Sequence, residues 1–501
     1  MTSTTLSPLI LLLFLWPVPT TVYAQQSPNK PVHSDARYAE ATLLNQPLEG
    51  FRGIWYANQP SSDEFVYKYS GGLGTYPSNH YPFSVYSKEV NKTFFCFGGV
   101  NEEGSLIHSV SFYDHEKKEL ARPIAVLDKN TNDAHDNPVI SMDGDGYIWL
   151  FSTSHGVWRP SYIHKSVRPY DISEFEPVKA TKMENGKSVP LDNFSYVQIY
   201  HQPDHGFIGL FTHYEQKELQ YGTKQSRVIS YMYSKDGVEW SEWKDIANIE
   251  EGHYQTSFYR DGKVATTFNF HPNMQGESGL NYRTNLYYLE TSDFGQSWQN
   301  INGEDMQLPL TTIENAALVK DYAREGLNVY INDVAFDEEG NPAILYVTSG
   351  GYEAGPSNDP RTWNLAYHNG EEWSFSEITV SDNNYDMGSI YLEKDGIWRI
   401  IGPTQSGPQA YNTGGEMVMW ISKDQGKSWE KVKNLTLGSE KNHSYARKSV
   451  TPHPDFYAFW ADGHGREPSE SRLYVANQAG EVFRLPQIMK RDKVKLKRMK
   501  K

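Results

Sequence analysis

A single cysteine, Cys96, in 501 residues leaves no partner for an internal disulfide and too few thiolates for a thiolate-rich zinc or iron–sulfur site. After the first 24 residues no apolar run reaches membrane-spanning length, and the mean hydropathy is -0.65. No stretch keeps a sustained 3.6-residue apolar period, so helices are expected only as short insertions. Also missing are a Gly-rich phosphate loop leading into a helix, a Gly-x-Ser-x-Gly elbow and a His-Glu-x-x-His pair. Basic residues are scarce, 47 Lys and Arg against 62 Asp and Glu. Of the 47, eight crowd into residues 490–501, which carry a net +7 and leave about -22 on the rest. So acidic a body excludes non-specific nucleic-acid binding, which needs a basic face.

What is abundant is aromatic: 13 Trp, 34 Tyr and 22 Phe, too many for a chain that stays disordered. The start of the chain reads as a secretory signal peptide, residues 1–24. Its short apolar run Leu9-Ile10-Leu11-Leu12-Leu13-Phe14-Leu15 is followed by Val22-Tyr23-Ala24 before Gln25. The mature protein is therefore expected to be secreted or periplasmic, with no membrane span, and a monomer. Residues 25–489 form one domain on this reading, and 490–501 a basic tail. A charge run at a terminus is ordinarily solvated and mobile, although it can touch polyanions.

From about residue 50 to 485, short strands rich in Tyr, Phe, Val, Ile and Trp alternate with Gly, Asn, Asp and Ser turns, the texture of an all-β repeat protein. A repeat lies within it. Ser234-Lys235-Asp236-Gly237-Val238-Glu239-Trp240 returns as Ser292-Asp293-Phe294-Gly295-Gln296-Ser297-Trp298 and again as Ser422-Lys423-Asp424-Gln425-Gly426-Lys427-Ser428-Trp429. His368-Asn369-Gly370-Glu371-Glu372-Trp373 is a looser copy. Each follows an apolar strand and resembles the Asp-box turn of sialidase-like propellers, where Asp and Ser satisfy turn amides and Trp packs inward. The first two Trp stand 58 residues apart and the next 131, about two units of 65. That period predicts a single seven-bladed β-propeller with Asp-box (BNR-type) turns. Such turns identify blades and leave the function open.

Chemistry-bearing candidates are His, Tyr and Arg. His135, in Asn132-Asp133-Ala134-His135-Asp136-Asn137, enters a predicted hairpin, and His155 leaves it. A hairpin brings both to one end, where imidazoles can move protons near neutral pH; their ordinary role is to hold loop backbone. Strand alternation puts Tyr196, Gln198 and Tyr200 on one face. Arg227 can clamp a carboxylate bidentately. His253, Arg283 and the run His443-Ser444-Tyr445-Ala446-Arg447 are weaker candidates of the same kind.

Phe51-Arg52-Gly53-Ile54-Trp55-Tyr56, Lys68-Tyr69-Ser70-Gly71-Gly72-Leu73-Gly74-Thr75-Tyr76, Asn285-Leu286-Tyr287-Tyr288-Leu289-Glu290 and Trp460-Ala461-Asp462-Gly463 resemble the BNR-repeat propeller polysaccharide lyases, most of all the family 25 ulvan lyases. The group also holds family 24 ulvan lyases and the rhamnosyl-glucuronate hydrolases and lyases. The resemblance implies β-elimination between sulfated rhamnose and a uronic acid of ulvan, a sulfated algal polysaccharide. It implies a site of two histidines, a tyrosine and an arginine: His135, His155, Tyr200 (or Tyr196) and Arg227. Asn137, His253, Arg283 and His80 are expected to help bind substrate. His80 also marks the alternative: in the hydrolases the equivalent histidine works on the opposite face of the propeller and rhamnose is freed by hydrolysis. A catalytically silent carbohydrate-binding propeller is a third reading. No cofactor is required by the chemistry; a structural calcium or zinc held by His, Asp and backbone oxygens is compatible with the sequence.

Overall fold

The structure is a computed structural model that describes Met1 and residues 41–73, 79–157 and 159–499, so the signal-peptide segment and part of the run 68–76 lie outside the described residues. The described residues from 41 to 499 fall in one compact unit. Among them the fold is all-β, and helix is confined to short 3-10 turns such as Ala134–Asp136. Antiparallel four-stranded meanders follow one another along the chain. The first runs through Ser84–Ser87, Lys92–Val100, Leu106–Asp114 and Ile124–Asp128, and the second through Pro138–Met142, Ile148–Ser152, Tyr162–Ser166 and Phe175–Pro177. The third joins Ser195–Gln202, Gly206–Leu219, Gly222–Ser234 and Lys244–Ala247; the fourth, Gln255–Arg260, Lys263–Phe270, Thr284–Thr291 and Leu318–Lys320. The fifth spans Asn328–Phe336 to Trp373–Ser381. The sixth (Ser389–Leu392 to Glu430–Asn434) and seventh (Asn442–Arg447 to Val482–Arg484) are joined by one bridge, Gly415 to His443. No sheet among the described residues closes on itself.

The leading strands of the first six meanders pack side by side, and the last meander meets the first. There Phe95 meets Phe456 and Phe459 at ring separations of 5.1 and 5.3 Å, and Ser84 Oγ lies 2.5 Å from Ser449 Oγ. Phenylalanines dominate this junction because each contributes a large apolar face without a polar atom to satisfy.

The Asp-box turns all connect the third strand of a meander to its fourth. In the third meander Gly237 N–H donates to Ser234 Oγ (2.9 Å), Val238 N–H to Asp236 Oδ1 (2.8 Å), and buried Trp240 donates Nε1–H to Gly237 O. Gly237 adopts φ 76°, which a side chain would resist. The copy in the fourth meander differs from the sequence alignment by one residue. Thr291, not Ser292, supplies the hydroxyl that accepts from Gly295 N–H (2.9 Å) and pairs with Asp293. Threonine serves because only a hydroxyl at that register reaches the turn amide.

The basic tail is not a free end. Lys493–Val494 pairs antiparallel with Glu119–Ala121 beside the first meander, and Met499 N–H donates to Val482 O at 2.8 Å. Val494 and Leu496 pack against the apolar cluster around Phe95, which explains why a charged run stays docked.

Candidate active site

Ser152 pairs with Pro138 across the second meander's first hairpin, so the residues just outside it, His135 and His155, meet at one end as the spacing predicts. Their rings stack at 3.8 Å with an interplanar angle of 14°. Between them sits a residue that the sequence reading passed over, Asp133. Its side chain caps the 3-10 turn by accepting from His135 N–H, lies 2.6 Å from His135 Nδ1 through Oδ1, and 2.8 Å from His155 Nδ1 through Oδ2. A carboxylate on both Nδ1 atoms assigns both rings the Nδ1–H tautomer and makes each Nε2 an acceptor. Burial alone would raise the Asp133 carboxyl, yet the two imidazoles hold it well below the usual carboxylate range. Burial, with His155 beside it, pushes His135 down to about 4, so His135 is neutral at neutral pH.

Arg159 seals the underside, donating to Asp133 Oδ2 at 2.8 Å and to Asp136 at 2.7 and 2.8 Å; buried Lys129 lies 3.4 Å from Asp136. Tyr69 lies in one of the runs that carry the family resemblance. It accepts from Asn58 Nδ2 (2.9 Å), which leaves its O–H to donate to His135 Nε2 at 3.2 Å. His155 is the open member of the pair, its side chain 31% exposed against 4% for His135.

Tyr196 and Tyr200 do not share a face. A bulge between Ser195 and Gln198 puts Tyr196 at φ 50° and breaks the alternation. Tyr196 turns toward the histidines, with ring separations of 6.0 Å to His135 and 5.3 Å to His80. Tyr200, expected as the catalytic tyrosine, instead hydrogen-bonds Ser257 Oγ at 2.9 Å inside the core, away from the histidines, with Gln198 bonded to the same serine. Burial first, then neighbouring tyrosines 214, 254 and 69, hold the Tyr196 phenol well above its ordinary value, so it stays protonated.

Beyond Tyr196 lies a cationic, aromatic wall. Tyr254 packs edge-on against Tyr196 at 5.6 Å, and both Arg227 (6.0 Å) and Arg283 (4.9 Å) lie over the Tyr254 ring. Arg283 also faces Tyr330 and Tyr385 at 4.8 and 5.7 Å. Lys68 joins them: burial first, then Arg283, drives its ammonium pKa well below normal, and it donates to Asn281. His271, edge-on to Tyr254 at 5.1 Å, has no hydrogen-bond partner on either ring nitrogen. Arg227 and Arg283, both selected from sequence, thus lie together over the Tyr254 ring.

Three other candidates are placed differently. His253 is buried and spent on backbone, 2.7 Å from Asn269 O and accepting from Ile249 N–H, so it does not line the site. Asn137 is wholly buried beneath the turn, its Oδ1 filling the space that the absent side chain of Gly98 leaves. His80 does not sit on an opposite face. It lies fully buried under the histidine pair, with Nε2 3.2 Å from His135 O and 3.3 Å from Thr153 Oγ1. The cause is local: the segment carrying His80 runs across the leading strands, with Tyr81 bonded to Val197 and Ile199 and Pro82 O accepting from Ile140 N–H.

Among the described residues two groups have metal-ligating atoms within 4.8 Å of one another, Asp133/His135/His155 and His115/His453/Asp455. In the first the Nδ1 atoms already donate to the carboxylate. The second offers an N2O donor set that suits zinc better than calcium.

A BNR repeat-containing family model matches residues 108–381, more than half of the chain. The ulvan lyase of Nonlabens ulvanivorans is 24% identical over 445 residues, which cover 79% of this chain and 86% of that protein. Among solved structures, a polysaccharide lyase family 25 ulvan lyase aligns over 87% of this chain and 96% of its own with a TM-score of 0.63 and 17% identity. A family 25 ulvan lyase bound to -[GlcA(1-4)Rha3S]- gives 0.62 at 16% identity with the same coverage. At these identities the superpositions establish a common fold.

Proposed function

The chain belongs to the BNR repeat-containing family, and from that premise we propose that it is an ulvan lyase of the family 25 kind. The carrying observation is the row formed by the stacked imidazoles on Asp133, then Tyr196, then the Arg227/Arg283 wall. β-Elimination at a uronate needs these functions in this order. The arginines neutralise the carboxylate, which makes the C5 proton acidic. The imidazole pair accepts that proton through Nε2; the stacked rings share one carboxylate and hold one added proton between them. The C4–O4 bond then breaks, its electron pair leaving with O4, the C4–C5 double bond forms, and Tyr196 protonates O4. Proton return from the imidazole pair to Tyr196 resets the site. No step calls for a metal.

The scissile bond on this reading joins sulfated rhamnose to glucuronate or iduronate, and the product carries an unsaturated uronate end. The seven meanders are read as the blades of one propeller, a reading supported by the contact of the last with the first. Residues 1–24 are read as an export signal and 25–489 as the catalytic domain, acting as a monomer. Ultraviolet absorbance during incubation with ulvan tests the reaction. A rising signal that His135→Ala abolishes is the expected result; cleavage without new absorbance would instead mean hydrolysis.

A further inference from the structure

The acidic body has to hold a polyanion, and the buried cations of the active site reach only the residues bound there. The docked C-terminal strand offers a second cationic surface of a different kind. Along it Val494 and Leu496 turn inward onto the core, while Lys493, Lys495 and Lys497 are exposed. Lys493–Val494 is strand and the alternation of exposed and half-buried residues continues to Lys497, so at about 6.6–6.8 Å per two extended residues the three lysines share one side over about 13 Å. Two acids near the strand are paired elsewhere, Asp492 with Arg122 at 3.0 Å and Glu481 with Arg498 at 2.7 Å, and Glu119 beside Leu120 on the paired strand is the acid left next to the row. Among the described residues none of the three lysines forms a salt bridge, and all three are exposed to an outside partner.

We infer that Lys493, Lys495 and Lys497 form an exosite for sulfated polysaccharide that holds a stretch of the polymer outside the catalytic groove. The inference rests on the polysaccharide-lyase reading for the identity of its ligand. A regular row of exposed ammonium groups matches a chain with regularly repeating sulfates and carboxylates. It gives salt-dependent capture and no recognition of the sugar itself. Pinning matters, because a strand held by Val494 and Leu496 does not pay for ordering on each encounter. The local charge also opposes the repulsion of the body, whose net of about -22 would otherwise slow the approach of a polyanion.

The test compares the full chain with a Lys493→Gln/Lys495→Gln/Lys497→Gln variant, which leaves the inward residues intact. Elution from immobilised ulvan and from heparin, and KM on ulvan polymer and on a tetrasaccharide, are measured at low and high salt. The variant should elute from both columns at lower salt and show about a tenfold higher KM for polymer at low ionic strength, with kcat and the tetrasaccharide KM unchanged. The KM difference should vanish in about 1 M salt, where the Debye length is only about 3 Å. Equal elution and equal KM in a variant of unchanged Tm would overturn the exosite. So would weakened binding to duplex DNA or phosphatidylserine vesicles with ulvan retention unaltered. Should the full chain generate no unsaturated product at all, the lyase reading fails, while the column comparison still decides the exosite.

Discussion

Two cationic regions of this acidic chain work by opposite means. Arg227 and Arg283 are set among Tyr196, Tyr254, Tyr330 and Tyr385, where water is scarce and each charge has a fixed aromatic neighbour. Lys493, Lys495 and Lys497 stand in solvent on a strand edge. A charge surrounded by low-dielectric side chains acts strongly over a short distance on a ligand placed to meet it. An exposed charge acts weakly, over a Debye length, on any polyanion. Burial therefore selects the reacting residue, and exposure gathers the polymer.

The sharpest way to break the buried side is to unlock the imidazoles. Asp133→Asn keeps the size of the side chain but removes the charge that fixes both tautomers. Turnover should fall by about 10³-fold, the scale of general acid–base catalysis, equally at low and high salt. Steady-state rates at two ionic strengths check this, since a loss that salt reverses would move the site into the exposed class. Next, Arg283→Ala should cost about 10²-fold in kcat/KM, against about tenfold, at low salt only, for the triple lysine variant. Tyr196→Phe should lower kcat by about 10²-fold without raising the polymer KM, whereas Tyr200→Phe should leave kcat within twofold. The latter loses the hydrogen bond to Ser257, worth about 1 kcal/mol, which thermal unfolding would register.

Acid separates the regions again. Burial holds His135 and His443 at about 4 and His253 at about 3, below the ordinary imidazole value near 6.5. Between these limits the unfolded chain binds protons that the folded chain refuses, so stability is complete above about 6.5 and falls as pH drops toward 4. Each histidine contributes on the order of 1.4 kcal/mol per pH unit across that window. Denaturant midpoints at pH 7 and 5 measure the loss. The smallest effect is predicted for His253→Gln: the pH-7-to-5 loss of stability should shrink, with activity at neutral pH unchanged. Polymer capture on the exposed lysines should persist until the fold gives way.

Much of this was legible in the chain itself. Trp240, Trp298 and Trp429 marked equivalent turns, and the lengths on either side of Asp143-Gly144-Asp145-Gly146 placed His135 with His155, because hairpin pairing is local. Asp133 was on the page two residues before His135 and was passed over as a turn residue; only the folded turn shows its oxygens dividing between two rings. Period-2 alternation paired Tyr196 with Tyr200 and failed, because it assumes an unbroken ladder and a bulge stands between them. The tail was read as a mobile terminus, since its charge was visible and the inward spacing of Val494 and Leu496 carried no weight without a partner strand. His80 resembles a hydrolase histidine of a distant face, the alternative reading, but the crossing segment holds it against backbone beneath the histidine pair.

The sequence by itself determined what local rules govern: short strands, turn chemistry, the repeat, the acidic body, and the histidines at one end of a hairpin. Tertiary structure alone decided that Tyr196 faces those histidines while Tyr200 does not, that Lys68 joins Asn281 and Tyr69 joins His135, 213 and 66 positions away, and that a basic terminus becomes an edge strand. These are contacts between meanders, set by how packed sheets bring distant segments together, and no spacing along the chain encodes them.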